Sequence, residues 1–264
     1  MVANRLGSSG PSWAQAFGLH NSGTYNNEWH LVDYNVFDAS RKSGVVLLPN
    51  LLTIVDQMPG NIEVADATGT LKAAGYWASY NRPGLPGTWA LANYTETVEA
   101  YGDHYSHAKA ARAQLFQRLQ GSIVDETSLK KVMRFNRFDD PALPRAITNQ
   151  MCGSGPSASN AISERGDLTP TASNCAADVA QQDEGGIDMK YTSAELMLGS
   201  SSGGGGGGGY GLRAVAQSGP TYDDQPVFVW SASPFANNTA HAGQPDRWEF
   251  PYVTVGWSSM VGHS

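Results

Sequence analysis

The densest cluster of groups able to address a reacting carbonyl is Asn21-Ser22-Gly23-Thr24-Tyr25-Asn26-Asn27, which sets amides and hydroxyls around a glycine just ahead of a β-prone stretch beginning near Trp29. Neutral N–H and O–H donors at the mouth of a strand can stabilise the charge that develops on a carbonyl oxygen during acyl transfer. The same residue types also build hydrogen-bonded turns, in which Asn and Ser tie down their own backbone. Composition alone favours the turn.

The other chemistry-bearing residues are more scattered. Cys152 and Cys175 bracket a segment rich in Gly, Ser, Pro and Asn. Their spacing is poor for a metal site, and either a disulfide closing the loop or two separate buried thiols fits the sequence. His104 and His107 have ligand spacing but no identifiable third ligand, so surface histidines are expected. Gly199-Ser200-Ser201-Ser202-Gly203 has the letter pattern of a nucleophile elbow, without the strand before it and the helix after it that give that pattern meaning. Asn93-Tyr94-Thr95 and Asn237-Asn238-Thr239 match the N-glycosylation sequon. With a disulfide they point to the secretory pathway, whereas Met1 to Trp13 carries no apolar signal core. That mismatch leads to the expectation of further sequence upstream.

These groups need elements to hold them. Trp29, Leu31 and Asp33 on one face alternate with His30, Val32, Tyr34 and Val36 on the other, so a strand covered on both faces is expected from Glu28 to Phe37. Leu51 to Met58 and Ile62 to Asp66 flank Pro59-Gly60-Asn61, which predicts a hairpin. Ala108 to Leu119 reads as a helix. A second helix, carrying Leu129, Val132 and Met133, starts behind Asp125 as its N-cap. Val227 to Trp230 and Trp248 to Trp257 are further strand candidates, and Trp29, Trp77, Trp230, Trp248 and Trp257 are expected mostly in the core. The order of strands, helices and strands argues for an α+β domain. Ser200 to Ser202 and the seven glycines after them read as a disordered insertion at about 199–209.

A chain of 264 residues with 41% hydrophobic residues can bury one substantial core, and one domain over 1–264 is expected. The net charge of −7 repels phosphate backbones and anionic surfaces, so no nucleic-acid partner is expected. No apolar run is long enough to span a bilayer, since Val45 to Val55 is broken by Pro49 and Asn50, and a chain that is not transmembrane is expected.

The segment Asn21 to Trp29 followed by Val32-Asp33-Tyr34 resembles a signature of the phospholipase B-like family, whose lysosomal members are also called lamina ancestor homologues. Gln57-Met58-Pro59-Gly60, Tyr76 to Asn81, Ala161 to Leu168, Gly186 to Lys190, Ser218 to Thr221 and Gly243 to Asp246 resemble other family segments in the family's order. The resemblance implies part of a four-layer αββα N-terminal-nucleophile hydrolase, a precursor that cleaves itself to free an N-terminal cysteine whose α-amino group acts as base. That cysteine lies upstream of the matched segments, so neither Cys152 nor Cys175 is the implied nucleophile. The position of Cys152 relative to family members favours its disulfide with Cys175.

By the same resemblance Asn26 or Asn27 would help form an oxyanion hole and Arg165 would lie beside the nucleophile. Arg165 also fits a structural ion pair with Asp167 or Asp188. The implied partners are the upstream part of the same precursor and a lipid or amide small-molecule substrate, with no cofactor. An ester and an amide suit the implied chemistry equally, and lysosomal or secreted localisation would follow for the complete protein. The competing reading is a non-catalytic binding or structural module, or a fragment, because a chain without nucleophile and base cannot turn over.

Overall fold

Asp33 ends the first strand by starting a helix. Its side chain accepts hydrogen bonds from the backbone N–H groups of Asn35 at 2.9 Å and Val36 at 3.2 Å, satisfying two donors that the first turn of a helix leaves over. The strand expected to run to Phe37 therefore stops at Val32, and Tyr34–Ser43 is helical. The computed structural model describes residues 2–153, 155–169, 174–199 and 211–256. The Ser/Gly-rich insertion from Ser200 onward and Trp257 lie outside them. The described residues belong to two compact units, Met1–Ala108 and Lys109–Ser264. No helix among them is long and apolar enough to cross a membrane.

In the first unit, helices α1 (Val2–Leu6) and α2 (Gly10–Gly18) precede strand β1 (Glu28–Val32), helix α3 (Tyr34–Ser43), and strands β2 (Leu52–Met58) and β3 (Asn61–Asp66). Helices α4 (Thr68–Ala74), α5 (Pro86–Leu91) and α6 (Tyr94–Tyr101) follow. The three strands form an antiparallel sheet in the order β1-β2-β3. The expected hairpin is present, its turn made by Pro59 and by Gly60 at φ 72°. One face of the sheet takes the aromatic cluster of Trp13, Phe17 and Trp29, and Gly10 of α2 packs directly on Thr53. The other face buries Leu52 and Ile54 with Leu51, Ala67 and Leu85, joined by Val36, Phe37 and Leu71.

The second unit holds helices α7 (Ala111–Leu119), α8 (Glu126–Met133) and α9 (Arg145–Thr148), strand β4 (Asp188–Tyr191), helix α10 (Ala194–Leu198), and strands β5 (Arg213–Ser218), β6 (Phe228–Val229), β7 (Arg247–Trp248) and β8 (Val253–Gly256). Asp125 caps α8 as expected, in a reciprocal box with Ser128. Leu129 and Met133 of α8 pack on Met189, Tyr191 and Val215 of the antiparallel sheet β4-β5-β8. The two later strand candidates are shorter than the sequence implies, and β6 pairs with β7 over two residues each. The fold is thus mixed α and β on small antiparallel sheets, as an α+β class requires. Cys152 and Cys175 form a disulfide, the outcome the resemblance favoured, and the bridged backbone is also joined by a hydrogen bond from Ala176 N to Met151 O at 2.8 Å.

Two buried arginines organise this unit. Arg134, 1% exposed, donates to the carbonyls of Gly219 and Pro220 and to Asp223 Oδ1. Arg165, 2% exposed, forms a two-pronged pair with Asp167 and donates to the carbonyls of Thr221 and Pro226. Both guanidiniums therefore grip the same loop, whose carbonyls would otherwise lack donors. Of the two carboxylates the sequence offered Arg165, Asp167 is the partner.

Candidate functional site

The segment Asn21 to Asn27 is stapled to the β2–β3 hairpin by one side chain. Asn21 donates through Nδ2 to Met58 O at 2.7 Å and accepts through Oδ1 from Gln57 Nε2 at 2.8 Å and from Gly23 N at 3.1 Å. Gln57 in turn accepts from Trp29 Nε1 at 3.0 Å. Gly23 sits at φ 66°, and a Cβ there would lie 2.7 Å from Pro59 Cα, so both the backbone conformation and the close approach demand glycine.

This staple separates the two asparagines that sequence left equivalent. Asn26 turns its amide back onto Gly23 O at 3.1 Å. Asn27 extends the ladder with its carbonyl, which accepts from Gln57 N at 3.0 Å, while its exposed side-chain amide has no hydrogen-bond partner among the described residues. Both line a cavity of about 300 Å³ together with Glu28, Asp56, Arg82 and Tyr94.

Sequence reading missed two carboxylates that line that cavity, Glu28 and Asp56. Glu28 pairs with Asp56 across β1 and β2, and Asp56 with Glu63 across β2 and β3, so three carboxylates stand in a row on one face of the sheet. Glu28 Oε1 accepts from Trp77 Nε1 at 2.7 Å and lies 2.6 Å from His30 Nε2. Asp56, 2% exposed, accepts from Leu85 N at 2.7 Å. Burial pushes its carboxyl up to about 6; the N–H groups of Leu85 and Gly84 oppose this, and the charges of Glu28 and Glu63 add to it. Glu63 behaves oppositely. Burial raises it, but hydrogen bonds from the Thr88 hydroxyl and from the N–H groups of Thr88 and Gly87 win and hold it below the usual carboxylate range. A signal existed in the acidic positions, but only strand register shows that they meet.

Arg165 belongs to the second unit and lines a separate cavity there. Asn93 and Asn237 of the two sequons are both exposed. His104 falls in a single-turn 3₁₀ helix, Asp103–Tyr105, that ends before His107, and His107 packs edge-on against Tyr80 and Trp89. Among the described residues no group of His, Cys, Asp or Glu has an arrangement that could hold a metal ion.

A family model described as Phospholipase B matches residues 1–255. The chain belongs to the phospholipase B family. It is 40% identical over 260 residues to phospholipase B-like 2 of Homo sapiens, covering 97% of this chain and 41% of that protein. Phospholipase B-like 1 of Caenorhabditis elegans is 36% identical over 260 residues, covering 97% of this chain and 42% of that protein. Phospholipase B-like protein A of Dictyostelium discoideum is 34% identical over 261 residues, covering 98% and 40%. The chain thus spans about two fifths of the length of these relatives.

Proposed function

We propose that these residues form the supporting part of a phospholipase B-like hydrolase that cleaves an acyl ester or amide bond, its nucleophile supplied by protein beyond this sequence. In this reading the nucleophile is an N-terminal cysteine, and the complete fold is the four-layer αββα sandwich implied by the resemblance. The observation that carries it is the exposed Asn27 amide, which lines the cavity and has no hydrogen-bond partner among the described residues. Its backbone is fixed by the bond from Gln57 N to Asn27 O, so only the side chain has to order for its neutral N–H to meet negative charge developing on a carbonyl oxygen, the role of an oxyanion-hole donor. Asn26, whose amide is committed to Gly23, supports the turn. Asp56, raised towards neutrality, supplies a carboxyl able to donate or accept a proton near the same cavity. Arg165 enters as a positioning residue that, oriented by its pair with Asp167, fixes the Thr221 to Pro226 loop by donating to its carbonyls.

The same reading places the complete protein in a lysosome or outside the cell, with sugars at Asn93 and Asn237 and the disulfide formed there. Its test is turnover of a phospholipid and of a simple amide. The 264 residues alone are expected to be inactive, and activity is expected once the unmatched part of a relative is supplied. Turnover by the isolated chain that is abolished by Cys152→Ser or Cys175→Ser would overturn it.

A further inference from the structure

We propose that the second unit binds a small organic ammonium ion in the cavity walled by Phe228, Trp230 and Trp248. The cavity has about 330 Å³, room for an ammonium with several alkyl substituents, and its aromatic walls come from the β6–β7 pair and the 3₁₀ turn after β6. Aromatic rings attract a cation through the negative potential of their faces and solvate its alkyl groups, which a hydrated metal ion cannot exploit. The rings are held in place. Phe228 meets Trp230 edge-on at 4.9 Å, Trp230 stacks on His241 at 4.4 Å, and its indole N–H donates to Gln244 Oε1 at 3.2 Å.

Charge selects the sign of the ligand. Four carboxylates line the cavity: Glu164, which pairs with Arg112 at 3.6 Å, Asp167, which pairs with Arg165, and Asp183 and Glu184. The Arg165 guanidinium is already taken up by Asp167 and by the carbonyls of Thr221 and Pro226, so it has little to offer an anion. Asp183 and Glu184, both exposed, have no cationic partner among the described residues; Asp183 Oδ2 only accepts from the Thr239 hydroxyl at 2.7 Å. The segment that carries them is fixed by Gly186 N donating to Glu164 O at 3.0 Å, and by Gly185, where a Cβ would meet Glu164 O at 2.7 Å. A cation entering here meets unneutralised carboxylates at the rim and aromatic carbon inside. Carboxylates beside aromatic carbon match an organic cation, which aromatic walls solvate as they cannot a hydrated metal ion.

The experiment is calorimetric titration of the purified 264-residue chain with tetramethylammonium chloride against matched sodium chloride, with indole N–H shifts followed by NMR. Saturable binding is expected, with the Trp230 and Trp248 signals moving. tert-Butanol, uncharged and of nearly the same size, is expected to bind at least about tenfold more weakly. Asp183→Asn combined with Glu184→Gln, at the exposed rim where folding is not at stake, is expected to weaken binding several-fold, and Trp248→Leu to weaken it about tenfold. No saturable binding, equal binding of tert-butanol, or unchanged affinity in the doubly substituted rim would each overturn the proposal. It stands independently of the hydrolase reading, because none of these measurements requires turnover.

Discussion

Glu28 and Asp56 stand directly opposite each other on adjacent antiparallel strands, with both carboxyl groups on one face of the sheet and both screened from water. Burial raises the carboxyl of Asp56, and the like charges of Glu28 and Glu63 add to the shift. Its folded value near 6 exceeds the ordinary 3.8, so between those values the folded state holds more protons than the unfolded one. Stability contributed by this group therefore falls as pH rises from about 4 to about 6 and stays lower above. Asp56→Asn, which keeps an acceptor for Leu85 N, is expected to flatten that dependence and to stabilise the protein at pH 7 by up to about 3 kcal/mol. Chemical denaturation between pH 4 and 8 checks this, and a variant whose pH profile parallels the parent's would refute it.

Arg165 tests how far the second unit depends on one buried ion. Removing the guanidinium leaves the half-buried Asp167 carboxylate without its cation and the carbonyl of the buried Thr221 without its donor. Arg165→Ala is expected to cost about 3–5 kcal/mol, and Arg165→Lys most of that, since an ammonium cannot reproduce the fork. Thermal unfolding measures both, and a loss below about 1 kcal/mol would show that the loop finds other partners.

The Cys152–Cys175 bond closes a loop with a sequence separation of 23. By chain entropy it stabilises by about 3 kcal/mol. Mass spectrometry without reduction is expected to find the pair bonded in protein made in an oxidising compartment, and the double Cys→Ser variant is expected to unfold correspondingly earlier. Two free thiols in such material would contradict both the bond and the compartment.

Gly23→Ala probes the staple of the candidate site. Positive φ and the approach to Pro59 both oppose a side chain, so a loss of about 1–3 kcal/mol is expected. The indole signal of Trp29, which reports on the Asn21–Gln57 network, is expected to shift with it.

Local signals with their own chemistry were legible in sequence. Pro59-Gly60-Asn61 announces the β2–β3 hairpin, and Asp125 announces α8. Asp33 was not legible. The alternation around it reads as strand, and only the hydrogen bonds its carboxylate accepts show that it starts a helix. The carboxylate row was hidden for a different reason. Glu28, Asp56 and Glu63 lie far apart along the chain, and register brings them together. Asn26 and Asn27 are chemically identical, so no sequence argument could separate them; the bond from Asn26 to Gly23 does.

The most direct measurement is kcat for Asn27→Ala beside Asn26→Ala in a protein that joins these 264 residues to the unmatched part of the human relative. If Asn27 donates to the developing oxyanion, its loss is expected to lower kcat about 10²–10³-fold while Asn26→Ala stays within about threefold. Equal kcat in Asn27→Ala and the parent, with both proteins folded, would contradict the assignment.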